Sequence, residues 1–206
     1  MTSNSTMGSR CDLQRRACLL ASVWIPTLVG LPACSRASFQ SLEVTGATYG
    51  REFHLSDPDG RARTLADFRG QVVLLFFGFT QCPDVCPTAL SRAARVEQLL
   101  GAQADKLQVI FVTIDPERDS AAVLRAYTHA FHPGFLGLRS DEQTTWQTAQ
   151  DFKIFYAKVP TGSSYTMDHT AGSYVFDASG KLRLFVRYGS GTEALTADLK
   201  ALLAAG

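Results

Sequence analysis

The chain has 206 residues, of which 46% are hydrophobic, and a formal net charge of +1 at pH 7. This length suits one domain of ordinary size with a terminal extension, and the apolar content can supply a sizeable core. The near-neutral charge excludes a strongly basic surface, so no nucleic-acid partner is expected. The five cysteines do not describe a disulfide scaffold, because only Cys82 and Cys86 lie beyond the first 34 residues.

Residues 1–34 predict an export or anchoring segment. Arg15 and Arg16 precede an apolar run, 17–31, which has about the length of a signal-peptide hydrophobic region and falls short of the ~20 residues of a membrane-spanning helix. The end of this run is similar to a bacterial lipoprotein signal, in which Cys34 would receive the lipid. A lipidated Cys34, an uncleaved N-terminal anchor and free secretion remain open, and all three export the body. The two tethered forms predict the periplasmic face of a bacterial membrane.

Residues 35–48 are polar and weakly patterned, which predicts a linker between this segment and a domain at 49–206. The domain opens with a predicted β-hairpin. Its arms, 53–55 and 61–65, flank the turn sequence Asp-Pro-Asp-Gly at 57–60.

The rest of the domain alternates strand and helix patterns. Strands are predicted at 71–77, 107–114, 135–138, 153–158, 173–177 and 181–188, and helices at 88–100, 121–131, 141–152 and 192–203. This order predicts an α/β fold, a thioredoxin-like sandwich with an N-terminal β-hairpin and an inserted strand-helix segment.

Cys82 and Cys86 lie where a buried strand pattern leads into a helix. Side chains four residues apart on a helix share one face, with Cβ atoms about 5–6 Å apart, so both thiols can contact one small object. Proline lacks the N–H needed inside a helix, which places 83–85 in a tight turn and Pro87 at the first helical position. The partial positive charge of a helix N-terminus favours the thiolate, the form that attacks disulfides and binds metals.

Two thiolates need at least one more ligand to form a metal site, and the chain has four histidines. His54 falls in the predicted hairpin, and His129 and His132 end a surface helix, where a solvated or capping histidine is expected. His169 differs because it follows a Gly/Ser loop, 161–164, and directly precedes a core strand. Such strand-edge loops often present functional side chains from a rigid scaffold.

Soft thiolates with one imidazole suit Cu(I), which accepts a low coordination number. Zinc would need a fourth ligand, and iron–sulfur clusters usually need more cysteines. Asp168 could complete a zinc or Cu(II) site, although a carboxylate beside a ligand more often supports its neighbour. Spacing alone therefore leaves the metal and its full ligand set open.

Three segments, taken in order, resemble the signatures of the Sco/SenC family, whose members are membrane-tethered copper proteins that assist cytochrome c oxidase assembly. These segments are FGFTQCPDVCPT at 77–88, VTIDPERD at 112–119 and DHT at 168–170. The similarity runs from about residue 49 to residue 203. Three ordered matches are far more specific than any one of them.

The resemblance implies that Cys82, Cys86 and His169 are copper ligands and that copper is the bound metal. It further implies delivery of copper, or of reducing equivalents, to the binuclear copper site of cytochrome c oxidase subunit II or a related acceptor. No step of such a metallochaperone requires enzymatic turnover. The family's segment beginning at Asp115 and Pro116 is interpreted as a strand exit and helix cap that supports the site without touching metal.

A thiol:disulfide oxidoreductase that uses the same pair, Cys82 and Cys86, is the main alternative. Three residues separate these cysteines, whereas thioredoxin-like redox motifs have two. The His169 loop also stands where such enzymes usually carry a cis-proline. A peroxiredoxin-like peroxidase fits less well, because it expects a threonine three residues before the reactive cysteine and Thr80 stands two before Cys82.

Overall fold

The computed structural model describes residues 38–205, which form a mixed α/β fold around a six-stranded sheet. In chain order the strands are β1 (Leu42–Glu43), β2 (Leu55–Ser56), β3 (Ala62–Arg63), β4 (Val72–Gly78), β5 (Leu107–Thr113), β6 (Leu136–Leu138), β7 (Tyr156–Thr161), β8 (Ser164–His169), β9 (Gly172–Phe176) and β10 (Leu182–Arg187). The α-helices are α1 (Val85–Leu100), α2 (Ala121–His129), α3 (Glu142–Asp151) and α4 (Thr192–Ala205).

The large sheet has the strand order β1-β10-β9-β4-β5-β6. Strands β4, β5 and β6 run parallel, while β9 and β10 are antiparallel to their neighbours. Helix α1 packs on α4, and α2 packs on β6. This arrangement confirms the predicted α/β, thioredoxin-like class, and β6 with α3 corresponds to the strand-helix insertion.

Strand β4 is the centre of the core, because it lies between β5 and β9 and all seven of its residues are buried. Its unbroken apolar sequence fits a strand that is covered on both faces. Phe77 is fully buried and packs its ring against Phe152, with the ring centroids 5.2 Å apart. The end of β4 is therefore held by its ladder to β5, which continues to Gly78, and by the packing of Phe77.

Helix α1 begins at Val85, two residues before the predicted first helical position, so Pro87 is its third residue and not its first. The first four N–H groups of a helix have no intrahelical partner, and a proline at this position costs no hydrogen bond. The tight turn also lies earlier than predicted, because the Cys82 backbone N–H donates to the Phe79 carbonyl oxygen at 3.2 Å.

His169 was expected on a loop, but it is the last residue of strand β8. Strands β7 and β8 form a two-stranded antiparallel hairpin of their own, in which Thr161 pairs with Ser164. Gly162 has a φ of +62°, a conformation that two-residue hairpin turns favour and that glycine adopts without strain. The predicted 161–164 loop is thus reduced to Gly162 and Ser163.

The predicted N-terminal hairpin is present as the short pair β2 and β3. The predicted linker, 35–48, differs from the structure in its second half, because β1 pairs with β10 at the edge of the main sheet. Just before β1, the backbone N–H groups of Gln40 and Ser41 donate to the buried Asp198 carboxylate at 2.7 and 2.8 Å. These bonds attach the chain to the domain by residue 40, earlier than the predicted start at residue 49.

The predicted export or anchoring segment, 1–34, and Cys34 within it lie outside the described residues. Among residues 38–205, no helix combines the length and the apolar character needed to cross a membrane.

Candidate metal centre

The two cysteines lie at the point where β4 leads into α1. Cys86 is fully buried in the first turn of the helix, while Cys82 is half-buried in the turn before it, and both are free thiols. The Cys86 backbone N–H lies 3.4 Å from the Cys82 sulfur. The helix N-terminus therefore faces Cys82, as the sequence predicted, and its N–H groups favour the thiolate there.

His169 reaches this pair from the end of β8. Its Nε2 lies 3.9 Å from the Cys86 Sγ, and its Nδ1 lies 3.1 Å from the Thr170 carbonyl oxygen. A carbonyl oxygen can only accept, so Nδ1 carries the proton and donates it to this bond. The lone pair of Nε2 is then free to bind a metal ion, which is the usual arrangement for histidine ligands.

The three side chains predicted to act together do lie together. The sulfurs of Cys82 and Cys86 and a ring nitrogen of His169 are all within 4.8 Å of one another. With metal–sulfur bonds of about 2.3 Å and metal–nitrogen bonds of about 2.0 Å, ligands of a trigonal site would be about 3.7–4 Å apart. The observed spacing requires only a small contraction, so the donor set fits a soft ion of low coordination number.

The other candidate ligands do not join this group. His132 Nδ1 lies 2.9 Å from a Glu97 carboxylate oxygen, and His54 and His129 are exposed on other parts of the surface. Asp168 is exposed next to His169 on β8, and adjacent strand residues project to opposite faces. Within residues 38–205, Cys82, Cys86 and His169 form the one group of three or more such side chains close enough to share an ion.

The pKa values of the two thiols are shifted in opposite directions. A hydrogen bond from the Cys86 thiol, together with the backbone N–H groups of Cys86 and Asp84, lowers the pKa of Cys82 to about 5, against the opposing effect of burial. The same hydrogen bond and its own burial raise the pKa of Cys86 well above the ordinary thiol value. Cys82 is therefore the first of the pair to ionise and the more reactive nucleophile.

Gly78 is a site residue that the sequence analysis missed. A Cβ atom at this position would lie 2.7 Å from the Cys86 sulfur and 2.9 Å from the rings of Phe76 and Phe111. Glycine at the last position of β4 therefore makes the space that the buried sulfur occupies. A glycine at the end of a buried strand signals a close approach, but the sequence does not say to which atom.

Asp119 has a larger role than the cap that was predicted for its segment. Its fully buried carboxylate accepts hydrogen bonds from the Thr80 N–H at 3.1 Å and from the hydroxyls of Thr80 and Thr113, both at 2.6 Å. These bonds attach the cysteine turn to the end of β5. The helix cap is supplied by Ser120, whose side chain accepts from the Val123 N–H.

Comparison with known proteins identifies relatives over most of the described domain. The SCO1/SenC family model matches residues 43–204. The structure of ScoI from Bradyrhizobium japonicum with copper bound is 38% identical with a TM-score of 0.69, covering 76% of this chain and 99% of that one. The solution structure of apo Sco1 from Thermus thermophilus is 39% identical with a TM-score of 0.73, covering 82% of this chain and 99% of that one.

Two curated relatives are longer than the matched region. A SCO2-like protein of Rickettsia felis is 38% identical over 135 residues, covering 64% of this chain and 66% of the relative. The mitochondrial SCO2 homolog of Homo sapiens is 39% identical over 141 residues, covering 66% of this chain and 52% of the relative. The match thus spans just under two thirds of the bacterial relative and about half of the human one.

Proposed function

Because this chain belongs to the SCO1/SenC family, we propose that it is a copper metallochaperone that binds one copper ion through Cys82, Cys86 and His169. The observation that carries the proposal is the convergence of two sulfurs and an imidazole nitrogen within 4.8 Å. The copper-bound ScoI of Bradyrhizobium japonicum, 38% identical to this chain, supports the choice of metal. The soft donor set points to the same metal, because two thiolates and one imidazole suit Cu(I).

The two thiols would enter the complex in different protonation states. Cys82 is ionised at neutral pH, because its pKa is lowered to about 5, whereas Cys86 holds its proton until the charge of the ion displaces it. His169 would bind through Nε2, since Nδ1 donates to the Thr170 carbonyl oxygen. Binding therefore releases a proton, and both thiols must first be in the reduced state.

The acceptor in this proposal is the binuclear copper site of cytochrome c oxidase subunit II or a related copper site. Transfer would proceed by ligand exchange, in which acceptor ligands replace those of the donor one at a time. His169 would leave first, because it lies on a hairpin outside the main sheet, and the buried Cys86 would leave last.

We propose that the domain works at the periplasmic face of a bacterial membrane, held by lipid on Cys34 or by an uncleaved N-terminal segment. The chain joins the domain at Gln40, so the residues between Cys34 and Gln40 can span at most roughly 20 Å. Such a tether would keep the domain close to the membrane that holds the acceptor. Membrane fractionation of the full chain and of Cys34→Ser tests this, since release by the substitution is expected only for the lipid anchor.

A thiol:disulfide oxidoreductase is the second candidate function. The lowered pKa of the half-buried Cys82 favours it, because a thiolate at neutral pH is what attacks a substrate disulfide. The buried Cys86, within 4.8 Å, could then resolve the mixed disulfide. Such a protein would reduce a disulfide between the cysteines of the acceptor before copper enters. This activity would not need His169.

The deciding experiment measures the metal content of the reduced domain, residues 38–206, with copper and zinc both offered. We expect one copper per chain, with loss of binding in Cys82→Ser and Cys86→Ser. His169→Ala should weaken copper binding by about 100-fold or more while both thiols stay titratable, and His132→Ala is the matched control outside the group. Unchanged affinity in His169→Ala would remove that residue from the site. Disulfide reduction that survives His169→Ala and disappears in Cys82→Ser would support the oxidoreductase.

A further inference from the structure

Arg118 connects three segments of the chain around the candidate metal centre. Its Nε donates to the buried Asp115 carboxylate, and its Nη1 donates to the Gln81 side-chain oxygen at 3.2 Å and to the Tyr165 carbonyl oxygen at 2.8 Å. Its guanidinium carbon also stands 3.7 Å from the centroid of the Tyr165 ring. One side chain thus contacts the segment after β5, the residue before Cys82 and the strand that carries His169.

Strand β8 meets the body of the domain through one of its faces. Tyr165, Met167 and His169 alternate along the strand and therefore share a face, on which Met167 is buried. Within the described residues, β8 has ladder bonds only to β7, so side-chain contacts and not sheet hydrogen bonds hold the hairpin in place. Tyr165 is the polar part of this contact, since its hydroxyl also donates to Asp115 at 2.8 Å.

The surroundings make the Arg118 contacts stronger than those of an exposed ion pair. The Arg118 side chain is 15% exposed and the Asp115 side chain is 1% exposed, so water competes weakly for the pair. The planar guanidinium can donate in several directions and stack on a ring at the same time, which a lysine ammonium cannot do.

We propose that Arg118 is a positioning residue that holds β8 against the cysteine turn and so keeps His169 Nε2 in bonding reach of the ion. This inference rests on the proposed copper site, because it assigns Arg118 a role through His169 and not through direct contact with metal. Without Arg118, the hairpin keeps its internal ladder and the hydrogen bond from Tyr165 to Asp115, but it loses its link to Gln81, the residue before Cys82. The thiols would then remain in place while the imidazole is held less often in the binding position.

The first test compares copper affinity in Arg118→Leu and Arg183→Leu. Arg183 is the matched control, because it also pairs with a carboxylate, that of Asp177, and lies over an aromatic ring, that of Phe39, without contacting any of the three ligands. Arg118→Leu should bind copper about 10–100-fold more weakly, the usual cost of losing a residue that supports a ligand, and Arg183→Leu should match the wild type. Arg118→Lys should also bind copper weakly, because an ammonium carries the charge but lacks the planar guanidinium that makes these contacts together.

A double substitution separates a positioning role from a general loss of stability. If Arg118 acts through His169, Arg118→Leu combined with His169→Ala should bind copper no more weakly than His169→Ala alone. The Cu(II) form of Arg118→Leu should also lose the nitrogen hyperfine coupling from its electron paramagnetic resonance spectrum, as His169→Ala does. Additive losses with the coupling retained would overturn the proposal.

A metal-free measurement keeps this inference separate from the proposed function. Diethylpyrocarbonate should modify His169 several-fold faster in Arg118→Leu than in Arg183→Leu, whether or not the wild type binds copper. Equal rates of modification overturn the role of Arg118, whereas faster modification in a protein without copper affinity would reject only the proposed function. Should Arg118→Leu fail to fold, Tyr165→Leu removes the stacked ring from a partly exposed position and is expected to give the same two results.

Discussion

The cysteine turn and the β7–β8 hairpin contribute to one site but are held by different forces. The turn extends from β4, which has hydrogen-bonded neighbours on both sides and seven buried residues. The hairpin has no ladder to the main sheet within the described residues, and its far half is exposed, with Val159 41% exposed. Moving the turn would disrupt the core sheet, whereas moving the hairpin would break side-chain contacts, such as those of Met167 and Tyr165, but no ladder bond to that sheet.

If the chain carries copper as proposed, this difference would let one site both hold and release the ion. Segments with few buried contacts open at a lower free energy than core strands. By this criterion Cys82 and Cys86 belong to the half of the site that is more costly to open, and His169 belongs to the half that is less costly. A carrier of this design would release its cargo without unfolding.

The largest expected effect concerns the acidity of Cys82, which the cysteine turn sets largely by itself. In the reduced, metal-free domain, alkylation of Cys82 by iodoacetamide should rise with pH through about 5 and level off, whereas an ordinary thiol rises through about 8.5. The pKa of Cys82 is lowered because the Cys86 thiol donates to the Cys82 thiolate and stabilises the charged form. Mass spectrometry of the modified peptide at successive pH values measures the midpoint.

Two variants show whether the turn or the hairpin controls that midpoint. Cys86→Ala removes the donor and should move the midpoint upward, whereas His169→Ala should move it little, because its contribution is the smallest of the causes. A large shift in His169→Ala with none in Cys86→Ala would contradict this division of the site.

The next effect tests the packing behind the buried sulfur. Gly78→Ala would place a methyl group 2.7 Å from the Cys86 Sγ, with no room between Phe76 and Phe111 to relieve it. We expect a loss of about 1–3 kcal/mol in the free energy of unfolding and weaker copper binding. Urea unfolding and copper competition measure the two quantities. Gly189→Ala is the control, since a Cβ there meets nothing within 4 Å, and equal effects of the two substitutions would refute the packing argument.

A smaller loss in the free energy of unfolding is expected when the hydrogen bonds between the cysteine turn and β5 are weakened. Asp119→Asn replaces an oxygen that accepts from Thr80 or Thr113 with a nitrogen that can only donate. A buried donor left without a partner costs about 1–3 kcal/mol of stability, and relaxation of the hydroxyls should place this case at the lower end. Urea unfolding measures the loss, and the exposed Asp59→Asn serves as the control. Equal stability of the two variants would contradict the assigned role of Asp119.

The smallest effect is expected on the outer side of the hairpin. The ion pair between Lys158 and Glu117, at 2.6 Å, is exposed to water, which screens it and leaves little net gain. Lys158→Ala should therefore leave the unfolding midpoint and the copper affinity at wild-type values in 0.15 M salt. A loss of affinity comparable to that of Arg118→Leu would mean that the hairpin is held at its outer side and not at Arg118.

The sequence predicted best the elements that local interactions form, and it missed elements without a local signal. The strand predicted at 71–77 is observed at Val72–Gly78, and the helix predicted at 192–203 is observed at Thr192–Ala205, because hydrophobic periodicity and capping residues are local signals. Strand β8 was missed because its residues are mostly polar and pair only with β7. The edge strand β1 was missed because two residues carry no periodicity.

The amino-acid sequence by itself determined the fold class, the position of the thiol pair at a strand-to-helix junction and the three ordered segments that resemble one family. Only the tertiary structure decided that His169 faces Cys86, that Gly78 leaves room for its sulfur and that Arg118 joins the hairpin to the cysteine turn. The reason is distance along the chain. Local patterns arise from the propensities of neighbouring residues, whereas contacts across tens of residues exist only once the packed core has brought their backbones together.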